Sequence, residues 1–127
     1  MTEPLIGQFC WNELAVTNVN KAKDFYGKTF GWQFKDVEMG DFTYTIISQQ
    51  NNDIAGMWHI PASEQSKIPQ HWMSYILVDD VDLALEEAKK HGAKIMRETT
   101  QAGNMGRLGI IVDPGGAHVG LWEPTKN

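Results

Sequence analysis

Trp11-Asn12-Glu13-Leu14-Ala15-Val16-Thr17-Asn18-Val19-Asn20-Lys21-Ala22 returns later in the chain, altered but alignable, as Met73-Ser74-Tyr75-Ile76-Leu77-Val78-Asp79-Asp80-Val81-Asp82-Leu83-Ala84. Val16, Val19 and Ala22 fall on Val78, Val81 and Ala84. Further on, Ile46-Ile47 and Gly56-Met57-Trp58 fall on Ile110-Ile111 and Gly120-Leu121-Trp122. A chain that repeats itself in this way is built from two similar supersecondary units, and a functional site is expected where equivalent strands meet.

The first unit opens on a strand over Gln8 to Val16, in which Cys10, Leu14 and Val16 alternate with Trp11, Glu13 and Ala15. A period of two means a strand with two different faces. Asn18 suits the N-cap of a helix that gathers Val19, Ala22, Phe25 and Tyr26 on one side, and Gly31 suits its end. Three strands follow, over Trp32 to Glu38, Phe42 to Ser48 and Ile54 to His59, separated by turns at Met39-Gly40-Asp41 and Gln49 to Asp53. The second unit repeats the order. A strand over Trp72 to Val78 leads to a helix capped by Asp80 with Val81, Ala84, Leu85 and Ala88 on its apolar face. Strands over Lys94 to Glu98, Leu108 to Val112 and His118 to Trp122 complete it, with Asp113-Pro114-Gly115-Gly116 as the last turn. Thr99 to Arg107 is expected to be a long loop, from whose end Arg107 would either reach an anionic ligand or simply be solvated.

The expected fold is therefore α+β: two tandem βαβββ modules forming a curved, cup-shaped mixed sheet with helices on the outer face. Residues 1–127 are expected to make a single domain, with module 1 over about 7–61, a linker over 62–69 and module 2 over about 70–124.

Composition narrows the function classes. At 127 residues with 42% hydrophobic content the chain can bury a core without staples. A single cysteine, Cys10, excludes an intrachain disulfide framework and fits a reducing, cytoplasmic setting. Met1-Thr2-Glu3-Pro4 has neither a basic region nor an apolar run after it, so no signal peptide is expected, and no apolar stretch approaches a membrane span. The net charge is −5, from 11 basic and 16 acidic residues without a basic cluster, which argues against nucleic acid as a partner.

Two βαβββ units, the first carrying Asp24-Phe25-Tyr26 before Phe30-Gly31-Trp32 and the second Asp113-Pro114-Gly115-Gly116-Ala117, resemble the vicinal-oxygen-chelate superfamily, the glyoxalase I, bleomycin-resistance and extradiol-dioxygenase group. The resemblance runs from about Gly7 to Pro124. Trp11-Asn12-Glu13-Leu14 and Leu121-Trp122-Glu123-Pro124 are most similar to its small single-domain glyoxalase-like members. The scaffold hosts isomerases, dioxygenases, thiol transferases and non-catalytic drug binders, so the fold does not choose among functions. The resemblance also implies a homodimer.

Enzymes of that superfamily hold a divalent metal through His, Glu or Gln on the first and last strands of each module. Carried over to this sequence, the resemblance places those positions at Trp11, Met73, Gly56 and Gly120. Indole only donates, glycine has no side chain, and a thioether suits soft ions, so no metal and no other cofactor is expected. A glycine at the last-strand positions leaves room for an aromatic ring or a ligand. Strand alternation then gives the cup an aromatic lining of Trp11, Trp58 and Trp122 with Met73, and polar handles in Glu13, Tyr75, His71 and His118. Such a mixture is typical of small-molecule pockets.

Glu13, an acid in mid-strand, either acts as a general base or cation acceptor, with Tyr75 as the matching acid, or accepts a hydrogen bond from the backbone or a neighbouring tyrosine. The tryptophans either stack on a planar or cationic ligand or fill the core. His71 and His118 could instead rebuild an off-centre metal site with Glu13. Three readings stay open: a metal-independent binder of a small aromatic or cationic molecule, an enzyme of lyase, isomerase or dioxygenase type, and an accessory module whose cup is filled by its own side chains.

Overall fold

A computed structural model describes residues 3–126. Met1, Thr2 and Asn127 lie outside the described residues, and the leader reading of the first two goes with them. The order is β1 (Phe9–Val16), α1 (Val19–Phe30), β2 (Gln33–Glu38), β3 (Thr43–Gln49), β4 (Asn52–His59), a 3-10 turn (Ala62–Glu64), β5 (His71–Leu77), α2 (Val81–Lys90), β6 (Lys94–Ala102), β7 (Gly106–Val112) and β8 (His118–Pro124). The fold is α+β, with βαβββ occurring twice. Contacts divide it into two compact units, Trp11–Met73 and the remainder, in which the residues through Cys10 accompany those from Ser74 onward.

In the first unit the strands run β2-β3-β4-β1 across the sheet. β1 lies parallel to β4, and the β2–β3 and β3–β4 pairs are antiparallel. The crossover helix α1 begins because the Asn18 side chain accepts from the Lys21 N–H at 3.0 Å, satisfying a donor that the first turn leaves orphaned. It ends at Gly31, whose φ of 74° is left-handed and whose N–H bonds back to the Gly27 carbonyl. Val19, Ala22 and Tyr26 of this helix pack on Leu14, Val16, Ile47, Ala55 and Met57. Ile47 and Met57 are fully buried, each contributing roughly 1.5–3 kcal/mol of transfer free energy. The β3–β4 turn carries positive φ at both Gln50 and Asn51, the geometry that matches a two-residue hairpin to strand twist.

The second unit repeats the plan as β5-β8-β7-β6, with β5 parallel to β8. Asp80 caps α2 by accepting from the Leu83 N–H, and Val81 and Leu85 pack on Leu121, Ile76, Val78, Ile95 and Ile111. Asp113 folds the last turn, its side chain accepting from the Gly115 and Ala117 N–H groups. Residues ahead of β1 join this unit, where Gly7 N–H bonds the Leu77 carbonyl and Leu77 N–H bonds the Gln8 carbonyl.

The expected loop at Thr99 to Arg107 is mostly strand. β6 runs on to Ala102 and β7 starts at Gly106, with Thr100 opposite Leu108 and Gln101 opposite Arg107. Register shifts at Ile95/Arg97 and Arg97/Thr100 break the alternation in this stretch, which hid the strand from a periodicity reading. Arg107 faces α2. It donates to Glu123 at 2.6 Å and to Asp82 at 3.0 Å, Thr99 donates to Asp82, and Glu123 accepts from the Val81 N–H at 2.9 Å. Its charge is thus committed to a junction of β6, β7, β8 and the first turn of α2, which corrects its reading as a solvated or ligand-reaching side chain.

Hydrogen bonding from Arg107, then from the Val81 N–H, holds the Glu123 carboxyl below its ordinary value of 4.5. Arg107 itself is pushed further up by Glu123 and Asp82 and stays charged. A depressed folded-state carboxyl stabilises the fold above its unfolded value and loses that contribution as pH falls through the folded value. Arg107→Gln should therefore lower the urea midpoint clearly at pH 7 and progressively less from pH 4.5 downward. An equal loss at pH 7 and pH 3 would contradict this.

Candidate functional site

β1 sends Leu14 and Val16 to the α1 side of the first unit and Trp11 and Glu13 to the other side. In register, Glu13 lies opposite Gly56 on β4, and Gly56 lies opposite Ile46 on β3. Tyr44, two residues before Ile46, shares its side of the sheet. The Tyr44 ring leans across β4 and its hydroxyl reaches β1. There it accepts from the Trp11 indole N–H at 3.0 Å and donates to Glu13 Oε2 at 2.8 Å. Two strand spacings amount to roughly 9–10 Å, so the tyrosine and the carboxylate must both lie nearly flat on the intervening strand. Gly56 permits this: a Cβ there would overlap the Tyr44 hydroxyl and ring outright.

The second unit meets the same condition with a different residue. Tyr75 on β5 is opposite Gly120 on β8. Its ring, 4% exposed, covers that glycine so closely that a Cβ at Gly120 would again overlap it. The repeat pairs Tyr75 with Glu13 and Tyr44 with Leu108, so the ring comes from β3 in one unit and from β5 in the other.

Tyr44 is absent from the sequence-derived site. The signal that finds it is strand parity: it faces the same way as Ile46 and is opposite Trp58 in register. Glu13 does have a tyrosine among its partners, Tyr44. Trp58 is half-buried on the same side. Met73 is 8% exposed. His71 turns to its own neighbourhood, with Nδ1 donating to the Pro69 carbonyl at 2.6 Å. In the second unit His118 is exposed, and the Trp122 ring packs so near Gly106 that a Cβ there would come within 2.9 Å of it. Cys10 is half-buried, and burial pushes its thiol up, away from the reactive thiolate.

Two indole- or thioether-bearing positions and two glycines beneath tyrosine rings do not fit a hard divalent cation. Among the described residues no group of three or more His, Cys, Asp or Glu side chains is placed to hold a metal. A cavity of about 410 Å³ opens on the α1 side of the first unit, lined by Thr17, Asn18, Lys21, Phe25, Tyr26 and Gln70 among others. None of the sequence-predicted site residues lines it. No helix among the described residues is long and apolar enough to cross a membrane.

Residues 6–121 match the model of the Glyoxalase/Bleomycin resistance protein/Dioxygenase superfamily. The putative glyoxylase CFP32 of Mycobacterium tuberculosis is 33% identical over 119 residues, covering 92% of this chain and 46% of that protein. The anthracycline biosynthesis protein DnrV of Streptomyces peucetius is 25% identical over 117 residues, covering 92% of this chain and 42% of that protein. The chain thus spans about half the length of these curated relatives. Methylmalonyl-CoA epimerase from Mycobacterium tuberculosis superposes with a TM-score of 0.68 at 17% identity, covering 99% of this chain and 93% of that one. At that identity the likeness establishes the fold alone.

The close approach of Tyr44 to Gly56 generates a stability prediction. Gly56→Ala should cost about 1–3 kcal/mol in urea unfolding, as overpacking does. Combining it with Tyr44→Ala should recover part of that loss, giving a clear coupling energy in a double-mutant cycle. Strictly additive effects would mean that the ring does not lie on the glycine.

Proposed function

The chain belongs to the Glyoxalase/Bleomycin resistance protein/Dioxygenase superfamily, and on that premise we propose that it is a small-molecule binder that works without the superfamily's divalent metal. The observation that carries this reading is the pair of tyrosine rings, Tyr44 on Gly56 and Tyr75 on Gly120, lying where the resemblance places metal-ligating side chains. The ligand is a small aromatic or cationic molecule. In the first unit Trp11 and Trp58 share a face whose anionic group is Glu13, and Met73 and His71 are the further side chains assigned to it. The corresponding side of the second unit offers Tyr75, Trp122 and His118. Indole faces attract planar rings and cations alike, and a carboxylate held by a tyrosine favours a cation or a hydrogen-bond donor. The protein acts in the cytoplasm as a homodimer, with neither nucleic acid nor membrane as a partner.

One observation favours an enzymatic alternative of lyase, isomerase or dioxygenase type. Because indole can only donate, the Tyr44 oxygen accepts from Trp11 and its own proton goes to Glu13. Glu13 Oε2 is therefore an acceptor, as a general base requires. The named fold neighbours include epimerases. The variant of this reading that relocates a metal to Glu13, His71 and His118 draws no support from the described residues, which place no group of three such side chains to hold an ion.

Chelator-treated protein should show quenching of tryptophan fluorescence when titrated with planar aromatics and aromatic amines, and Trp11→Phe and Trp58→Phe should each reduce it. Turnover of an added ligand that stops in Glu13→Gln would favour the enzyme. An absence of quenching across the screen would remove the binding reading.

A further inference from the structure

The chain Trp11 Nε1–H to Tyr44 Oη–H to Glu13 Oε2 has only one possible direction, because it begins at a group that cannot accept and ends at a carboxylate. Each link places a positive hydrogen toward the carboxyl group, and a hydrogen bond donated to it favours its ionised form. We propose that Tyr44 is a positioning residue that keeps Glu13 ionised and aimed within the first unit, and so fixes the charge class of the ligand: a cation or neutral donor, excluding carboxylates and phosphates. The ligand half of this statement rests on the binding function proposed above; the Tyr44 half stands without it.

The groups on the neighbouring strands of the first unit differ from Tyr44 in kind. β4 brings Gly56 and Trp58, neither of which titrates, and β3 brings Tyr44 itself. His71 at the start of β5 is turned to Pro69. Lys35 on β2 is opposite Ile46 in register, two strands beyond Gly56. The Tyr44 contact also depends on Gly56. Tyr44 reaches Glu13 only across a residue without a Cβ, so Gly56 and Tyr44 operate as a pair. Tyr44→Phe keeps the ring on Gly56 and removes only the hydroxyl, which separates packing from polarity.

Two measurements decide the two halves. Carbon-13 NMR titration of the Glu13 carboxyl, assigned by loss of its signal in Glu13→Gln, needs no ligand. Its midpoint should rise by about one unit in Tyr44→Phe, and by less in Trp11→Phe, where Tyr44 remains. An unchanged midpoint in both variants would overturn the positioning role and leave Tyr44 as a packing residue. Tryptophan quenching by N-methylquinolinium, naphthalene and 2-naphthoate then compares a cation, a neutral ring and an anion of similar shape. The wild type should bind the cation at least about tenfold more tightly than the anion, a difference of about 1.4 kcal/mol, and Tyr44→Phe and Glu13→Gln should narrow the gap. Equal binding of cation and anion would overturn the charge class while leaving the binding function standing. No quenching by any of the three would overturn the ligand half together with that function, the carboxyl titration still deciding the role of Tyr44.

Discussion

The site depends on a missing atom. Gly56 lacks a Cβ, and that lets the Tyr44 ring cross β4 and place its hydroxyl between Trp11 and Glu13. A half-buried carboxylate in mid-strand is costly unless hydrogen-bonded, and the tyrosine supplies the bond. Gly120 performs the same service for the ring of Tyr75, which is in register with it and comes from the adjacent strand. The two units therefore share a principle, a ring laid on a glycine, and differ in which strand sends the ring. In the first unit that difference leaves the position equivalent to Tyr75 free to be an acid.

Much of the fold was legible because its determinants are local. Asn18 and Asp80 cap their helices through their own side chains, Gly31 stops α1 through its own φ, and Asp113 folds the last hairpin within five residues. The repeat supplied the order of elements. What stayed hidden was non-local. The extension of β6 to Ala102 comes from pairing with β7 and from the tie of Thr99 to Asp82, across register shifts that erase alternation. The ion pairs of Arg107 join residues far apart in sequence that only the fold brings together.

The side of the sheet that carries the candidate residues of the first unit was legible for the same reason. Strand parity and the repeat put Trp11, Glu13, Gly56 and Trp58 on one side, and the glycines announced room for a ring. Which ring would fill that room was not written locally, since Tyr44 acts from a strand that does not touch β1 directly. Tyr75 was read as packing or as a donor to Glu13, and it lies buried over Gly120.

The central proposal is that a tyrosine ring on a glycine, Tyr44 on Gly56 and Tyr75 on Gly120, takes the place of a metal ligand in each unit. Its most direct test is a thermal-shift titration of tag-free, chelator-treated protein with Ni, Co, Zn, Mn and Fe(II). A site specific to the native state adds about 2.7 kcal/mol at a hundredfold excess over Kd, a shift easily read for a chain of this size. The account predicts no shift with any of the five ions. A shift that disappears in Glu13→Ala or His71→Ala would contradict it and restore a metal to the site.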